Sequence, residues 1–240
     1  MRTNNFLKNI VLAIFVASLS LSCEAQVNKR IESGQAVGQE QTQPQISYGD
    51  LIIKEQSDYL MIPVNATDPN QKKGDSFSLD SSRIAKRDDK SVYNLIFYRK
   101  QDGESHVLLN RKAIINSFDL LETKTTAKPP TRVWLYQIID QDTNKDKVFN
   151  QQDAVIGYMS DLSGKNLQQV TPNNTRMINW VVLPSQNAIF IKIIKDSNND
   201  SKFTQADRTN FVRVSLEKPS MGKEIISEQI EQQVKSYITK

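Results

Sequence analysis

The segment DTNKDKVFNQQD, residues 142–153, recurs as DSNNDSKFTQAD, residues 196–207. The two copies start 54 residues apart and share Asp, Asn, Asp, Phe, Gln and Asp at places one, three, five, eight, ten and twelve. Identities at so many fixed offsets indicate an internal repeat. The chain is therefore predicted to contain duplicated units, with one acidic loop in each copy.

Alternating oxygen side chains in both copies suit a hard cation. Ca²⁺ takes about six to eight oxygen ligands, and an EF-hand-type loop supplies them from alternate places, from a backbone carbonyl at the seventh and from a carboxylate at the twelfth. We predict a weak Ca²⁺ site in each loop, with Phe149 or Phe203 at the eighth place fixing the loop to the domain. The predicted ligands are Asp142, Asn144, Asp146, Val148 and Asp153 in the first loop, and Asp196, Asn198, Asp200, Lys202 and Asp207 in the second, where Val148 and Lys202 act through their carbonyl oxygens.

Two departures from the pattern predict the weak affinity. The sixth place, where glycine favours a sharp turn, holds Lys147 and Ser201, and the twelfth holds Asp, which is shorter than Glu. We expect a Kd of about 10⁻⁴ to 10⁻³ M, as in extracellular calcium modules. Over these twelve residues each loop resembles the calcium loops of EF-hand and dockerin-type proteins. The alternative interpretation is an ordinary polar turn, which Asp, Asn and Ser favour through hydrogen bonds to the backbone.

The segments around the loops predict β-strands. TRVWLYQIID precedes the first loop and NAIFIKIIK precedes the second, and both are rich in β-branched and aromatic residues. Short apolar segments separated by turn residues occupy the chain from Tyr48 onward. We therefore predict an all-β domain over residues 47–226, built from about three four-stranded antiparallel units.

One hairpin suggests how those units are shaped. YMSDLSGKNLQQVTP, residues 158–172, resembles the blade hairpin of TolB-type and WD40-like β-propellers, with Asp161, Gly164, Thr171 and Pro172 at the matching places. The resemblance implies blade-like units. Three units fall short of the about four to eight blades of a closed propeller, so we expect a partial or atypical one. The repeat with paired acidic loops also resembles uncharacterised secreted or lipid-anchored bacterial proteins, which imply no particular activity.

The N-terminus predicts export. Residues 1–22 carry Arg2 and Lys8 before an apolar run that is too short to span a membrane, which is the layout of a signal peptide. Removing them takes away two positive charges and no negative charge, so the net charge falls from +4 to +2. The remaining chain has no long run of Lys and Arg and no motif for reading bases, so we predict no nucleic-acid partner.

A single cysteine follows the apolar run. Cys23 resembles the lipid-acceptor residue of bacterial lipoproteins, although Ser20 stands where that motif usually has Leu. Cleavage after Ala25 is the competing interpretation. Residues 23–46 are rich in Gln, include Gly34 and Gly38, and predict a flexible tether. We expect an outer-membrane or periplasmic lipoprotein held to the membrane through Cys23, with exposure at the cell surface left open.

The C-terminus differs from the rest of the chain. Within and just before residues 227–240, Ile226, Ile230, Val234 and Tyr237 recur at helical spacing. This spacing predicts an amphipathic helix that packs on the sheet or caps an exposed edge. The alternative is a helix that binds a partner.

Few residues suit catalysis. His106 is the sole histidine, which excludes an HExxH zinc site and leaves little basis for a Ser-His-Asp triad. No G-x-S-x-G elbow, phosphate loop or dinucleotide fingerprint is present. We predict a non-catalytic, envelope-anchored calcium-binding lipoprotein with a scaffold or protein-interaction role. The alternative is a cell-surface carbohydrate-binding module, suggested by aromatic residues such as Trp180, and a glycoside or other hydrolase using an Asp pair is the least favoured.

Overall fold

A computed structural model describes residues 45–67, 91–125 and 128–239. The predicted signal peptide, Cys23 and nearly all of the predicted tether lie outside these residues, and the first strand begins two residues before the predicted domain start. The strands within the described residues are β1 Gln45–Tyr48, β2 Ile52–Ile53, β3 Tyr59–Thr67, β4 Val92–Arg99, β5 Ser105–Val107, β6 Ile114–Thr125, β7 Lys128–Ile139, β8 Ile156–Ser160, β9 Gln168–Gln169, β10 Thr175–Leu183, β11 Ala188–Lys195, β12 Arg208–Ser215 and β13 Lys223–Glu224. The helix α1 spans Glu228–Ile238.

These strands form two antiparallel sheets, so the predicted all-β class is confirmed. The larger sheet has nine strands in the order β1-β3-β4-β6-β7-β8-β9, with β2 also paired to β3 and β5 to β4. The smaller sheet has four strands in the order β10-β11-β12-β13. The third predicted unit therefore exists as a separate four-stranded sheet. The first two predicted units are merged into one continuous sheet, because β4 of the first group pairs with β6 of the second at Val92 and Ile115.

Strand β7 is buried on both faces, which explains its continuous apolar sequence. Val133 and Leu135 lie in the core between the two sheets, whereas Trp134, Tyr136 and Ile138 lie in a second core on the opposite face. Successive side chains of a strand point to opposite faces, so a strand between two cores favours apolar residues at successive positions, as residues 133–136 show. Full burial of such side chains stabilises the fold by about 1.5–3 kcal/mol each.

The smaller sheet covers one face of the larger sheet. Ile189, Ile191 and Ile193 alternate along β11 and are fully buried. They pack in one cluster with Leu135 and Met159 of the larger sheet. The alternation AIFIKIIK thus places one face of β11 in the core between the sheets and leaves Lys192 on the other face.

Both acidic loops connect strands that are neighbours in a sheet. The first loop links β7 to β8, and the second links β11 to β12. This placement agrees with the strand-like sequences on either side of each loop. The two loops also lie close together, because Val155, two residues after the first loop, forms a parallel bridge with Arg176 of β10. Arg176 in turn pairs with Ile194, two residues before the second loop.

The predicted C-terminal helix is confirmed as α1. Ser227 caps its N-terminus by accepting a hydrogen bond from the amide of Ile230. The apolar residues Ile230, Val234 and Tyr237 are 49% to 67% exposed, so the predicted packing of this face on the sheet is not observed. An ion pair from Arg208 of β12 to Glu231 joins the helix to the smaller sheet instead. Within the part of the chain that the structure describes, no helix has the length and apolarity needed to cross a membrane.

Candidate metal centre

The first aspartate of each loop organises the backbone around it. Asp142 accepts hydrogen bonds from the amides of Asp146, at 3.1 Å, and Lys147, at 2.8 Å. Asp196 does the same for Asp200, at 3.1 Å, and Ser201, at 3.0 Å. The two loops therefore share one internal geometry, as expected for copies of one repeat.

The third and fifth places lie beside the first. In the first loop, the side-chain oxygen of Asn144 accepts the same Asp146 amide that Asp142 accepts, at 3.0 Å, and its side-chain nitrogen donates to the Asp146 carboxylate, at 3.0 Å. Asn198 and Asp200 repeat both contacts at 3.1 Å. The structure thus brings together the oxygen side chains of the first, third and fifth places in each copy.

The fourth and sixth places adopt the left-handed conformation that glycine would favour. Lys145 and Lys147 have φ of 62° and 69°, and Asn199 and Ser201 have φ of 58° and 60°. A left-handed residue other than glycine costs roughly 1–2 kcal/mol. The sharp turn forms without glycine, and the hydrogen bonds to the first-place carboxylate contribute to holding it.

The backbone amide of the seventh residue forms a hydrogen bond within each loop. The Val148 amide donates to the Asp146 carboxylate at 2.8 Å, and the Lys202 amide donates to Asp200 at 2.9 Å. Among the residues that the structure describes, the Val148 carbonyl accepts one long hydrogen bond, at 3.4 Å from the side-chain nitrogen of Asn150. The carbonyl predicted as a ligand is therefore only weakly engaged within the loop.

The twelfth aspartate joins the two ends of each loop. Asp153 is fully buried, and it accepts the amides of Thr143, at 2.8 Å, Asn144, at 3.3 Å, and Asn150, at 3.0 Å. Asp207 is also buried and accepts the amides of Ser197 and Thr204. Both oxygens of each carboxylate thus accept backbone amides, a role that the pattern of oxygen ligands does not predict.

In each loop the side chains that converge are the carboxylates of the first and fifth places and the asparagine of the third place. Among residues 45–67, 91–125 and 128–239, no group of three His, Cys, Asp or Glu side chains is placed to hold a metal ion. Asn144 and Asn198 supply the third oxygen side chain, and asparagine is an ordinary Ca²⁺ ligand. The donor set consists entirely of oxygen, which suits a hard cation rather than Zn²⁺ or Cu²⁺.

Hydrogen bonds within the loops favour the charged carboxylates. The pKa of Asp146 is lowered, first by the Val148 amide and then by the side chains of Asn144 and Asn150. The pKa of Asp207 is lowered, first by the Thr204 amide and then by Ser197. Charged carboxylates are the form that binds a cation.

The Asp207 hydrogen bonds predict a pH dependence of stability. Because the folded-state pKa lies below the ordinary value of 3.8, this contribution is fully present above pH 3.8 and is lost as the pH falls through the folded value. We expect Asp207→Asn to be less stable at pH 7 but to lose less stability between pH 5 and pH 2, measured by urea unfolding. Asp50→Asn, at an exposed position, is the control. Parallel pH profiles for the parent chain and Asp207→Asn would contradict this expectation.

The aromatic eighth places fix both loops to the body of the protein, as predicted. Phe149 packs against the small buried cluster formed by Ile114, Ile139 and Val155. Phe203 packs against the core of the larger sheet, although it belongs to the loop between β11 and β12. The second loop therefore reaches across to the larger sheet, next to the first loop.

The two loops border one cleft of about 320 Å³. Asp142 of the first loop and Asp196 of the second both face it, so the first places of the two repeats lie on a shared surface. Arg176, at the start of β10, lies between the loops and contacts both of them. Sequence reasoning did not identify Arg176, because neither the repeat nor any motif includes it. The cleft is lined by Gln141, Asp142, Thr143, Lys145, Asn174, Asp196, Asn199, Ser201 and Phe203.

A polar cluster supports the entry to the first loop. Asp140, at the end of β7, accepts hydrogen bonds from Tyr158 and Arg111, both at 2.7 Å. Burial, followed by the hydrogen bond to Asp140, raises the pKa of Tyr158 to about 12. Tyr158 thus remains a neutral donor at physiological pH and helps to hold the chain where the loop begins.

The side chain of His106 packs and forms a hydrogen bond within the fold. Its Nε2 lies 2.9 Å from the Ser163 carbonyl, and its ring stacks on Phe97 with 5.6 Å between the ring centroids. Nε2 must carry a proton to donate to a carbonyl. These contacts connect strand β5 to the turn at Gly164.

Comparisons with protein-family models, with curated proteins and with solved structures found no match to this chain.

Proposed function

We propose that the two acidic loops bind Ca²⁺ and that the protein is an exported, envelope-anchored lipoprotein with a scaffold or protein-interaction role. The observation that carries the calcium part is the common geometry of the two copies. In both, side-chain oxygens of the first and third places lie within 3.1 Å of one amide nitrogen, that of Asp146 or Asp200. Convergence of oxygen side chains on one point is what a hard cation requires of its ligands.

The residues fit the proposed ion. Asp142, Asn144 and Asp146 supply side-chain oxygens, and the Val148 carbonyl is close in the chain and weakly engaged. A carboxylate offers about four lone-pair sites. Asp153 Oδ2 accepts one amide, from Asn150, so it retains capacity for one further bond. The second loop has Asp196, Asn198, Asp200 and the Lys202 carbonyl at the corresponding places, whereas Oδ2 of Asp207 accepts both the amide and the hydroxyl of Thr204.

The envelope part of the proposal is supported by the sequence. The basic and apolar layout of residues 1–22, the single Cys23 and the Gln-rich segment after it together suit a lipid anchor followed by a tether. Calcium sites of extracellular modules have a Kd of about 10⁻⁴ to 10⁻³ M, and the absence of glycine at the sixth place predicts sites of this weak class. The proposed partners are the membrane, through Cys23, and a protein or glycan.

Calcium is expected to stabilise the fold. A ligand that binds only the folded state stabilises it by RT ln(1 + [L]/Kd). At 10 mM Ca²⁺ and a Kd of about 10⁻³ to 10⁻⁴ M, each site contributes roughly 1.4–2.7 kcal/mol. We expect the Tm to rise by on the order of 10 °C, measured by calorimetry with Ca²⁺ and with chelator.

Matched variants connect this rise to the loops. The double variant Asp142→Asn, Asp196→Asn is expected to abolish most of the calcium-dependent increase. Asp102→Asn, in the exposed turn after β4, is expected to retain it. An identical Tm with and without Ca²⁺ in the parent chain would remove the metal from the proposal and leave the loops as polar turns.

The carbohydrate-binding alternative has less structural support. Aromatic residues in strands suggest this alternative, and two of them, Trp134 and Tyr136, are buried in the core. Trp180 packs against the core between the sheets. Trp134 and Tyr136 therefore offer no exposed ring, whereas Trp180 is half-buried, and glycan-array binding that depends on Trp180 would favour this alternative.

A further inference from the structure

Arg176 makes side-chain contacts with both acidic loops. Its guanidinium donates to the carbonyls of Gln151 and Asp153, the tenth and twelfth places of the first loop. Its Cζ also lies 4.8 Å from the ring centroid of Phe203, the eighth place of the second loop. A single guanidinium thus connects the end of one loop to the aromatic anchor of the other.

The backbone around Arg176 reinforces this connection. The carbonyl of Asn174 accepts the amide of Asp196, the first residue of the second loop, at 3.2 Å. The carbonyl of Thr175 accepts the amide of Val155, two residues after the first loop, at 3.1 Å. A segment of three residues, 174–176, is therefore bonded to both loops at once.

The contacts depend on properties that arginine alone supplies. Its planar guanidinium can donate several hydrogen bonds in its plane while its face rests on an aromatic ring. The residue is half-buried, and its Nε is buried without a hydrogen-bond partner among the described residues. Partial burial of a charge is unfavourable unless its contacts compensate, and the contacts that compensate here come from both loops.

We propose that Arg176 is a positioning residue that couples the two loops, so that cation binding at either loop raises the affinity of the other. This inference rests on the proposed calcium function. Calcium in the first loop would fix the carbonyls of Gln151 and Asp153 and therefore the guanidinium. The guanidinium would hold the ring of Phe203, next to the proposed seventh-place ligand Lys202. By linkage, the second loop must affect the first by the same factor.

Residue-resolved calcium titrations test the coupling. The backbone amide resonances of Lys147 and Ser201 report the first and second loops separately. We expect Asp142→Asn, which disables the first loop, to raise the calcium midpoint reported by Ser201 by about fivefold. Asp196→Asn should raise the midpoint reported by Lys147 by a similar factor.

The coupling should disappear when Arg176 is replaced. In an Arg176→Met background, each midpoint should change less than about twofold when the other loop is disabled. Phe203→Leu, which removes the ring and retains an apolar side chain, should have the same effect. Arg213→Met is the matched control, because Arg213 is an exposed arginine of the smaller sheet that bonds to Gln186.

The outcomes separate this inference from the proposed function. Coupling that persists in Arg176→Met and Phe203→Leu, or loops that titrate independently in the parent chain, would overturn the role of Arg176 while calcium binding stands. Absence of any calcium-dependent shift at both Lys147 and Ser201 in the parent chain would contradict the proposed function itself.

Discussion

Replacing Asp153 with alanine is expected to destabilise the protein by about 3 kcal/mol or more. The Asp153 carboxylate is fully buried and accepts three backbone amides, those of Thr143, Asn144 and Asn150. Each buried donor that loses its acceptor costs roughly 1–3 kcal/mol unless water reaches it. For a domain of this size the Tm should fall by on the order of 10 °C, measured in chelator by calorimetry together with urea unfolding.

Three variants show whether the lost acceptor is the cause. Asp153→Asn keeps one carbonyl oxygen and should be less harmful than alanine. Asp207→Ala removes the equivalent residue of the second loop and should also be destabilising. Asp102→Ala, in an exposed turn, should have little effect because surface ion pairs contribute little. A loss below about 1 kcal/mol for Asp153→Ala would mean that the loop ends are held by other contacts.

Gly164→Ala is expected to cost roughly 3–5 kcal/mol, because it combines two unfavourable effects. Gly164 has φ +76°, in the left-handed region that is strained for alanine. Its added Cβ would also lie 2.4 Å from Cε2 and 2.5 Å from Cδ2 of Phe97. The Phe97 ring is fully buried in a close-packed core, so it cannot move aside freely. Urea unfolding and the Tm measure the loss.

Gly103→Ala is the matched control for the steric effect. Gly103 also has a left-handed φ, +80°, but its added Cβ would lie 3.3 Å from Oη of Tyr98, a partly exposed side chain. We expect only the cost of placing alanine in the left-handed conformation, roughly 1–2 kcal/mol. In the double variant Gly164→Ala, Phe97→Leu, the smaller side chain should make the combined loss less than the sum of the single losses. Equal losses for Gly164→Ala and Gly103→Ala would rule out the clash with Phe97.

Gly164 lies in a turn that the local sequence predicts and beside a ring that the local sequence does not predict. The sequence predicts a turn at Ser163 and Gly164, and the chain does turn there, with the Gly164 amide donating to the Asp161 carbonyl at 3.1 Å. The propeller resemblance was based partly on this turn. The close approach to Phe97 involves a strand 67 residues earlier, and no local pattern indicates it. The turn is therefore predictable, whereas the reason that only glycine fits there is not.

The pairing of the strands also depends on contacts between distant parts of the chain. The apolar runs predicted most strands correctly, but they did not predict that the first two groups would form one sheet. That outcome depends on the pairing of β4 with β6, which joins Val92 to Ile115. Pairings of this kind are decided by which edges and faces meet in the folded chain. The sequence of a strand indicates that it suits a pleated, half-buried surface, but it does not identify the strand with which it pairs.

What the sequence by itself determined is local: the all-β class, the strands flanking each loop, the C-terminal helix, and the common spacing of oxygen side chains in the two loops. These follow from backbone preferences and side-chain periodicity within a few residues. The tertiary structure alone decided that Asp153 is buried against backbone amides, that both loops border one cleft, and that Arg176 lies between them. Arg176 is 23 residues from Asp153 and 27 from Phe203 along the chain, and only the packing of the smaller sheet on the larger brings those groups within contact distance.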